Sequence, residues 1–548
     1  MAGKIKSWTG EPIVQTKYGL VKGFEDENET WSWKSIPYAK PPVGALRWKA
    51  PRDPNPWNNV LEETEYCEKC SEYDFFRKTI IDNEDCLRLN IWRPQSREKD
   101  LPVYFWIHGG GNMFQGTPLW STPGTRVASQ SNMIFISFQY RVGEFGWLSH
   151  PALRSGKPGD EYDDSGNYGT LDIIKALSWV RDNIEAFGGN PSNVFISGES
   201  GGAFDVLTML ISPAAKNLFH KAMVQSGRQN TFSVKDGDAN TNNLIAHLLV
   251  NDGTVATLEE ANKFRDNMSL DQIAAYLRSK SFKEFYACRK DVPFVHGFED
   301  GAVICKNGFN SLDDGSYPNK VPVIIGSDKE EAKLGLAQRN PFPDDDELYQ
   351  AVADIASDMK KAYGCDNLLR RLRNNADQPD VYCYQFCWGA KGPSGKSPIP
   401  EPYGFLIGCP HSMDIPFFFN RFDTYVFWGN IDTRNLFIEE NRKGREALSK
   451  AMMAYIAGFI RNVRPNKPGT NLPVWLPWSN DTGSPKCILF DVDGDDVDIK
   501  MTTKEITEDE VIASIKSLPE PLKKKVTTIG INHMTPIERD IIKSKGVK

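Results

Sequence analysis

An apolar strand runs directly into a glycine-flanked serine in the stretch Asn193-Val-Phe-Ile-Ser-Gly-Glu-Ser-Gly-Gly-Ala203, and the apolar residues 203–211 that follow are compatible with a helix. Serine is a poor nucleophile at neutral pH, so a hydrolase must expose the hydroxyl beside a base, and a sharp turn from strand to helix does this. Such a turn brings neighbouring chains close together and requires small residues two positions before and after the serine, here Gly198 and Gly202. We therefore interpret Ser200 as a nucleophile on a strand–turn–helix unit.

A glycine run follows an earlier strand. The strand predicted at 103–107 leads directly into His108-Gly-Gly-Gly111. Ester hydrolysis passes through a tetrahedral oxyanion, and each fixed backbone N–H aimed at it lowers the barrier by on the order of 3 kcal/mol. We therefore predict an oxyanion hole formed by the N–H groups of Gly110, Gly111 and Gly201. His108 is assigned a structural role in ordering the loop.

Strand-like and helix-like segments alternate through the first half of the chain. A further buried strand is predicted at 133–138, and apolar residues recur at helical spacing over 168–187. This alternation predicts an α/β fold in which a mostly parallel sheet carries helices on both faces. We predict a single catalytic domain over 1–495 and a charged, helical C-terminal extension over 496–548.

The extension carries a helix-start signal, because Thr507-x-x-Glu510 forms a capping-box pattern before an apolar run. A long helix is predicted upstream of it, over 444–461. The sequence leaves open whether the extension packs on the body or joins two copies into a homodimer.

The composition is that of a globular protein with a large core. The 548 residues are 40% hydrophobic and 25% charged, with a formal net charge of −7. No long block of lysine and arginine interrupts the chain, so we expect no nucleic-acid partner. No stretch approaches the ~20 apolar residues of a membrane helix, so we expect no membrane span. The N-terminus lacks the apolar core of a signal peptide, which predicts a cytoplasmic location for the chain as given and secretion if a leader was removed.

The ten cysteines are too dilute for a disulfide scaffold, and their spacing does not settle whether they are thiols or bridges. The pair Cys67-x-x-Cys70 suggests redox or zinc chemistry by itself. Neither Cys383 with Cys387 nor any histidine cluster supplies the second pair of ligands that a zinc site needs. We expect no metal and no cofactor.

Ordered motifs along nearly the whole chain carry a family resemblance. The chain resembles the type-B carboxylesterase and lipase family, which also contains the cholinesterases and non-catalytic adhesion proteins. The resemblance implies the α/β-hydrolase fold: a large central, mostly parallel twisted sheet flanked by helices, with inserted helical and loop segments around an active-site gorge. The landmarks, besides the nucleophile segment, are Gly19-Leu-Val-Lys-Gly23, Ile36-Pro-Tyr-Ala-Lys-Pro-Pro-Val-Gly44, Glu84-Asp-Cys-Leu-Arg-Leu-Asn90, Tyr140-Arg-Val-Gly143, Gly166-Asn-Tyr-Gly-Thr-Leu-Asp172 and Phe187-Gly-Gly-Asn-Pro191.

The resemblance also implies the acid and the base of a catalytic triad. An acid is expected in a Gly-x-x-Lys-x-Glu segment, and Gly326-Ser-Asp-Lys-Glu-Glu331 aligns Glu331 with it, with Glu330 and Asp328 as near competitors. The expected Gly-x-x-His segment is Gly408-Cys-Pro-His411. His411 would take the proton of Ser200, and Glu331 would hold the imidazole tautomer and stabilise the imidazolium.

Three positions depart from the family pattern. Gly201 stands where the family usually has alanine, Asn112 where phenylalanine often follows the triple glycine, and Ala332 where glycine often follows the acid. Gly201 still supplies its N–H. Asn112 alters the rim of the pocket, so no substrate preference is carried over from relatives.

The family further implies a disulfide between Cys86 and an upstream cysteine, here Cys67 or Cys70, if the compartment is oxidising. Cholinesterases bind quaternary ammonium through stacked aromatics that include a tryptophan in this loop. Residues 67–86 contain no tryptophan, and Tyr73, Phe75 and Phe76 are interpreted as ordinary pocket lining. We therefore predict no specialised acetylcholine site.

The combined pattern predicts a carboxylesterase that cleaves small-molecule carboxylic esters to acid and alcohol through an acyl-enzyme intermediate. One alternative is a lipase, a polyester hydrolase or a specialised multi-ester hydrolase, whose long substrates need an exposed apolar mouth or a movable lid. An alternative of another class is a non-catalytic adhesion protein of the same fold. Irreversible labelling of Ser200 by a fluorophosphonate separates the enzyme from the adhesion protein.

Overall fold

The computed structural model describes residues 7–75, 77–115, 124–392, 395–422, 432–466 and 469–547. The chain forms two compact units. The first comprises Met1–His220 and Gln229–Lys320, and the second comprises Lys221–Arg228 and Val321–Lys548. Both units combine strands with flanking helices, as the alternating pattern predicts.

The first unit contains a mixed set of strands in the order β10-β8-β9-β7-β4-β3. The pairs β10/β8 and β8/β9 are parallel, and the remaining neighbours are antiparallel. Two short antiparallel pairs, β1/β2 and β5/β6, lie outside this order. The strands are β1 (Ile13–Gln15), β2 (Leu20–Lys22), β3 (Phe24–Asp26), β4 (Thr30–Pro37), β5 (Glu72–Asp74), β6 (Thr79–Ile81), β7 (Arg88–Pro94), β8 (Leu101–Ile107), β9 (Ile134–Phe138) and β10 (Gly189–Glu199).

The helices of the first unit begin where the sequence changes to helical spacing. The helix predicted from residue 168 is a 16-residue helix that continues as a short 3-10 turn to Phe187. The helix after Ser200 is buried along its whole length. The helices are α1 (Thr125–Ser131), α2 (Gly143–Gly146), α3 (Tyr168–Asn183), α4 (Gly201–Ile211), α5 (Val234–Asn251), α6 (Leu258–Asp266), α7 (Leu270–Ser279) and α8 (Phe282–Cys288).

The register of β8 and β10 aligns the ends of the two strands that matter for the site. Gly198 pairs with Ile107, the last residue of β8. Because the carboxyl ends of parallel strands meet at one edge of a sheet, the glycine loop after β8 and the serine after β10 leave the sheet side by side. Both strands are buried on both faces where they pair, which explains why they read as continuous apolar runs.

The second unit contains strands in the order β15-β14-β13-β12-β11, of which β11 to β14 are parallel and β15 is antiparallel to β14. The strands are β11 (Lys221–Gln225), β12 (Val323–Asp328), β13 (Val381–Phe386), β14 (Cys487–Asp493) and β15 (Asp496–Thr502). The helices are α9 (Lys333–Arg339), α10 (Asp346–Lys361), α11 (Asn367–Arg373), α12 (Tyr403–Leu406), α13 (Ile415–Phe418), α14 (Arg442–Asn462), α15 (Glu508–Ser517), α16 (Glu520–Thr528) and α17 (Pro536–Ser544). The long helix predicted over 444–461 is α14.

The C-terminal segment differs in one respect from the helical extension predicted over 496–548. It begins with β15, which pairs along its length with β14. Only then does the capping box of Thr507 and Glu510 start α15. The three terminal helices pack an apolar face against α10, and the cluster that they share includes Val352, Met359, Val511, Ile515, Val526 and Ile542. No helix in the described part of the chain is long and apolar enough to cross a membrane.

Candidate active site

Ser200 occupies the turn between β10 and α4 in a conformation that serine rarely adopts. Its backbone angles are φ 57° and ψ −116°, and α4 begins at the next residue. A non-glycine residue in such a sparsely populated region costs roughly 1–3 kcal/mol, so the surrounding structure must hold it there. The turn lifts the serine side chain out of the strand and places it at the start of the helix.

The two flanking glycines are required by their neighbours. A Cβ atom on Gly198 would lie 2.4 Å from the carbonyl oxygen of Gly202. A Cβ atom on Gly202 would lie 2.2 Å from the carbonyl oxygen of Ile107, and contacts below 3.0 Å are essentially never seen for real Cβ atoms. The predicted need for small residues around the serine therefore has a steric cause: the backbone of Gly202 lies against Gly198, and the end of β8 lies against Gly202.

The glycine loop after β8 lies against the serine turn. A Cβ atom on Gly109 would lie 3.3 Å from the Cβ of Ser200 and 2.8 Å from the carbonyl oxygen of Glu199. Gly110 and Gly111 both have positive φ values, 108° and 62°, which glycine adopts at little cost. The backbone nitrogen of Gly111 lies 2.7 Å from the position that a Cβ of Gly201 would take. The structure thus brings the three residues predicted for the oxyanion hole close to Ser200.

His108 is buried and supports this loop. Its Nδ1 lies 2.9 Å from the carbonyl oxygen of Gly109, and its ring stacks on Tyr140 at 4.2 Å between centroids. Because a carbonyl only accepts, Nδ1 carries the proton. Burial lowers the pKa of His108 to about 4, so the imidazole is neutral at physiological pH. These contacts agree with the predicted structural role.

The second unit brings Glu331 and His411 together. The carboxylate Oε2 of Glu331 lies 2.7 Å from Nδ1 of His411. The other oxygen, Oε1, accepts a short hydrogen bond from the hydroxyl of Ser226 and a 3.0 Å bond from the N–H of Asp328. The side chain of Glu331 is 2% exposed and that of His411 is 20% exposed. A buried carboxylate therefore holds an imidazole that solvent still reaches.

Opposing effects act on the carboxyl of Glu331. Burial raises its pKa, but the charge and hydrogen bond of His411, together with Lys360 and Ser226, outweigh burial, so the pKa lies below its usual value. Glu331 is therefore ionised at neutral pH. An ionised carboxylate in this position stabilises an imidazolium on His411.

The two competing carboxylates have other partners. Glu330 forms an ion pair with Lys333 at 2.8 Å and accepts the N–H of Cys409. Asp328 is buried, and its carboxylate lies 4.0 Å from the thiol sulfur of Cys409. Among the three candidates for the acid, Glu331 is the one with a hydrogen bond to His411.

A second buried carboxylate lies near this pair. Asp414 accepts hydrogen bonds from the hydroxyl of Tyr384 at 2.6 Å and from Nε2 of Gln225 at 3.2 Å. Burial raises the pKa of Asp414 to about 6, against the lowering effect of these two bonds. It secures the segment after His411 to β11 and β13.

The disulfide partner of Cys86 is Cys70, at a Cα–Cα distance of 5.1 Å, and Cys67 is a free thiol. In the loop that this bridge closes, the ring of Tyr73 packs against Phe75 at 4.9 Å and stacks on Tyr286 at 5.0 Å. Phe76 lies outside the described residues. The aromatic side chains of this loop therefore contact one another and α8.

Among the described residues, one group of three side chains has ligand atoms close enough together to hold a metal ion. Ligand atoms of Cys365, Asp366 and Cys383 lie within 4.8 Å of one another and are buried. Asp366 already forms an ion pair with Lys361 at 2.5 Å and accepts the N–H of Ile506 at 2.8 Å. Contact with Cys383 and burial raise the pKa of Cys365, and burial raises the pKa of Cys383, so the group holds protonated thiols beside a carboxylate that is already paired with Lys361.

Two residues near the site were missed by the sequence reasoning. Ser226 follows β11 directly and has a φ of 55°. A serine at the end of a buried strand was the sequence feature that could have indicated it. Asp205 lies in the second turn of α4 and is buried, and a charged residue in a mostly apolar helix was the signal that could have indicated it.

Residues 10–347 match the model of the carboxylesterase family. Carboxylesterase 1D of Rattus norvegicus is 36% identical over 523 residues, which cover 86% of this chain and 88% of that protein. The para-nitrobenzyl esterase of Bacillus subtilis (strain 168) is 30% identical over 439 residues, covering 75% of this chain and 83% of the relative. A solved carboxylesterase of Geobacillus stearothermophilus superposes with a TM-score of 0.68 at 25% identity, covering 90% of this chain and 98% of that one. The predicted α/β-hydrolase fold is thereby confirmed.

Proposed function

This chain belongs to the carboxylesterase family and is a serine ester hydrolase, and from that premise we propose that it cleaves carboxylic esters to acid and alcohol with Ser200, His411 and Glu331 as its catalytic triad. His411 takes the proton of the Ser200 hydroxyl as the oxygen attacks the ester carbonyl. The protonated imidazole then gives that proton to the departing alcohol. Water, activated in the same way, attacks the acyl-enzyme and releases the acid.

The oxyanion of each tetrahedral intermediate is assigned to the N–H groups of Gly110, Gly111 and Gly201. Glu331 stays ionised throughout and stabilises the imidazolium of His411. No cofactor takes part in this sequence of steps. The substrates are small-molecule esters, in line with the ester-cleaving names of the relatives.

The observation that carries the proposal is the backbone of Ser200, which is held in a strained turn against the glycine loop. Strain of this kind persists only where the surroundings enforce it, and here the surroundings include the glycine loop whose N–H groups are proposed as the oxyanion donors. The pairing of Glu331 with His411 in the second unit supports the assignment of acid and base.

The test is a comparison of wild type, Ser200→Ala and a matched control, Ser192→Ala, on p-nitrophenyl acetate, butyrate, octanoate and palmitate. Ser192 is an exposed serine of the same strand, so its removal keeps the fold and the site. We expect wild type and the control to hydrolyse the short esters and Ser200→Ala to lose at least about 10⁴-fold in kcat. A rate maximum at octanoate or palmitate would instead favour the lipase class.

Mass spectrometry after treatment with a fluorophosphonate gives the second readout. The adduct is expected on the peptide that contains Ser200. If wild type is inactive on all four esters and Ser200 stays unlabelled, the hydrolase is refuted and the chain is a binding protein of this fold.

A further inference from the structure

Two of the three residues that depart from the family pattern, Asn112 and Gly201, lie next to each other in the fold. Asn112 is the first residue after the glycine loop, and Gly201 is the first residue after the nucleophile. The inference drawn from this meeting rests on the proposed function, because it concerns the positioning of the donors for the oxyanion.

The side chain of Asn112 is buried and enters a polar cluster rather than the pocket rim. Its Nδ2 donates a 3.0 Å hydrogen bond to Oδ1 of Asp205. Its Oδ1 lies 3.2 Å from the hydroxyl of Tyr140, which also lies 2.8 Å from the carbonyl oxygen of His108. The cluster therefore connects the loop to α4 on one side and to the segment after β9 on the other.

Burial raises the pKa of Tyr140 well above its usual value, and the charge and hydrogen bond of Asp205 add to the effect. The phenol is therefore protonated at physiological pH and can donate. Aromatic rings close the remaining side, because His296 lies 3.5 Å from Nδ2 of Asn112 and packs edge-on against Phe204 at 4.4 Å. A carboxylate in such surroundings requires its hydrogen-bond donors, since a buried charge without them is strongly destabilising.

The backbone conformation of Asn112 also favours asparagine at this position. Its φ is 60°, in the left-handed region where asparagine is several-fold enriched and bulky residues are outliers. Its carbonyl oxygen accepts a 2.6 Å hydrogen bond from the N–H of Gly143 at the start of α2. Both the side chain and the main chain of Asn112 therefore hold the end of the glycine loop.

The loop that is held in this way lies closer to α4 than an alanine after the nucleophile would permit. A Cβ atom on Gly201 would lie 2.7 Å from the nitrogen of Gly111 and 2.9 Å from the nitrogen of Asn112. Glycine at 201 leaves room for this approach. The two departures are thus parts of one arrangement.

We propose that Asn112 and Asp205 are positioning residues that draw the glycine loop onto the start of α4 and so set the distance between the oxyanion donors and Ser200. Neither side chain touches the reacting atoms. Their effect is exerted through the N–H groups of Gly110 and Gly111, which are the donors on the loop that Asn112 anchors.

The test reverses the polarity of the pair. Asn112→Asp keeps the shape but places a carboxylate against Asp205, and the double variant Asn112→Asp with Asp205→Asn restores one donor and one acceptor. We expect Asn112→Asp to lower kcat on p-nitrophenyl butyrate by about 100-fold with KM within about threefold, because the lost stabilisation acts in the transition state. The affinity for a trifluoromethyl ketone, which forms a tetrahedral oxyanion on the serine, should fall by a similar factor. The double variant should recover most of both losses.

A matched control separates positioning from general stability. Asn319 is also buried and holds the opposite end of α4, where its Nδ2 donates to the carbonyl oxygens of Met209 and Ser212 at 2.8 Å. Asn319→Asp should lower the melting temperature while kcat stays near the wild-type value. Asn112→Gly, which adds no charge and accepts the φ of 60° at this position, replaces Asn112→Asp if the latter does not fold.

The proposal is overturned if Asn112→Asp keeps the wild-type kcat, if Asn319→Asp loses as much kcat as it does, or if the double variant recovers nothing. It is also overturned if no Asn112 variant folds, since the pair would then be structural. Wild-type turnover and fluorophosphonate labelling of Ser200 are measured first. If these fail, the proposed function is at fault, and if they succeed while the variants behave like wild type, the positioning role alone is refuted.

Discussion

Oε2 of Glu331 lies 2.7 Å from Nδ1 of His411, while Oε1 of the same carboxylate accepts hydrogen bonds from Ser226 and from the N–H of Asp328. Both oxygens are therefore occupied, and the orientation of the carboxylate is defined by three partners. An acceptor fixed in this way keeps the proton of His411 on Nδ1 and leaves Nε2 as the basic nitrogen.

Glu331→Gln is expected to lower kcat by roughly 10³- to 10⁴-fold with a small change in KM, because an amide can present its NH₂ group to the imidazole and favour the wrong tautomer. Steady-state kinetics on p-nitrophenyl butyrate measure this split. Glu330→Gln is the matched control, since Glu330 is paired with Lys333. Its kcat should stay within about fivefold of wild type, although its melting temperature should fall, because the pair is largely buried and Lys333 loses its partner. Equal losses in both variants would contradict the assignment of the acid.

Gly201→Ala is expected to lower kcat by about 10- to 100-fold, even though alanine is the usual residue of the family here. The added Cβ would lie 2.7 Å from the nitrogen of Gly111, so the glycine loop must move. Gly335→Ala in α9 is the control, because its Cβ would meet only the flexible end of Arg339 at 3.2 Å. Kinetics and melting curves of the two variants, measured in parallel, check the result. An unchanged kcat in Gly201→Ala would show that the loop can move without loss of activity and would contradict the prediction.

Cys70→Ser is expected to destabilise the protein by about 3 kcal/mol, because the bridge to Cys86 closes a loop across a sequence separation of 16 residues. Cys67→Ser should change stability by no more than about 1 kcal/mol, since Cys67 is a half-buried thiol that forms no disulfide. Urea denaturation under oxidising conditions measures both. In the presence of a reductant that opens the bridge, the unfolding free energy of wild type should approach that of Cys70→Ser. A large loss of stability in Cys67→Ser would instead indicate that Cys67 pairs with Cys86.

His108 should contribute to loss of stability in mild acid. Its folded pKa of about 4 lies below the unfolded value of about 6.5, so between these values the unfolded chain binds the proton and the folded chain does not. Stability therefore falls as the pH decreases through this window, by about 2 kcal/mol from this group at pH 5. His108→Asn, which retains a donor near the carbonyl of Gly109, should show a smaller difference in unfolding free energy between pH 7.5 and pH 5. Identical pH dependence in the two proteins would refute this contribution.

Much of the site was predictable from local sequence because its parts are local. The turn at Ser200 needs Gly198 and Gly202 within a few residues, and the glycine loop follows β8 without a gap, so sterics and chain order reveal both. Glu331 and His411 lie in short motifs, but the family resemblance, rather than local sterics, identified them as candidates. The continuous apolar runs of β8 and β9 predicted a buried parallel arrangement for the same reason.

Other features depend on which distant residues the fold brings together. Whether Cys67 or Cys70 pairs with Cys86 is decided by the path of the intervening chain, which spacing does not specify. The residues 496–502 carry charges and read as part of a helical extension, but pairing with β14 supplies backbone hydrogen bonds that make them a strand.

The sequence by itself determined the hydrolase fold and the strand–turn–helix unit at Ser200, and it supplied the candidates for the acid and the base, because each follows from contacts between near neighbours or from an ordered set of motifs. Only the tertiary structure decided that Glu331, rather than Glu330, contacts His411 and that Ser226 donates a hydrogen bond to the Glu331 carboxylate. It also decided that Asn112 contacts Asp205, which lies 93 positions away in the sequence. The physical reason is that a hydrogen bond is specified by distance and direction in space, and long-range distances are set by packing of the whole unit rather than by spacing along the chain.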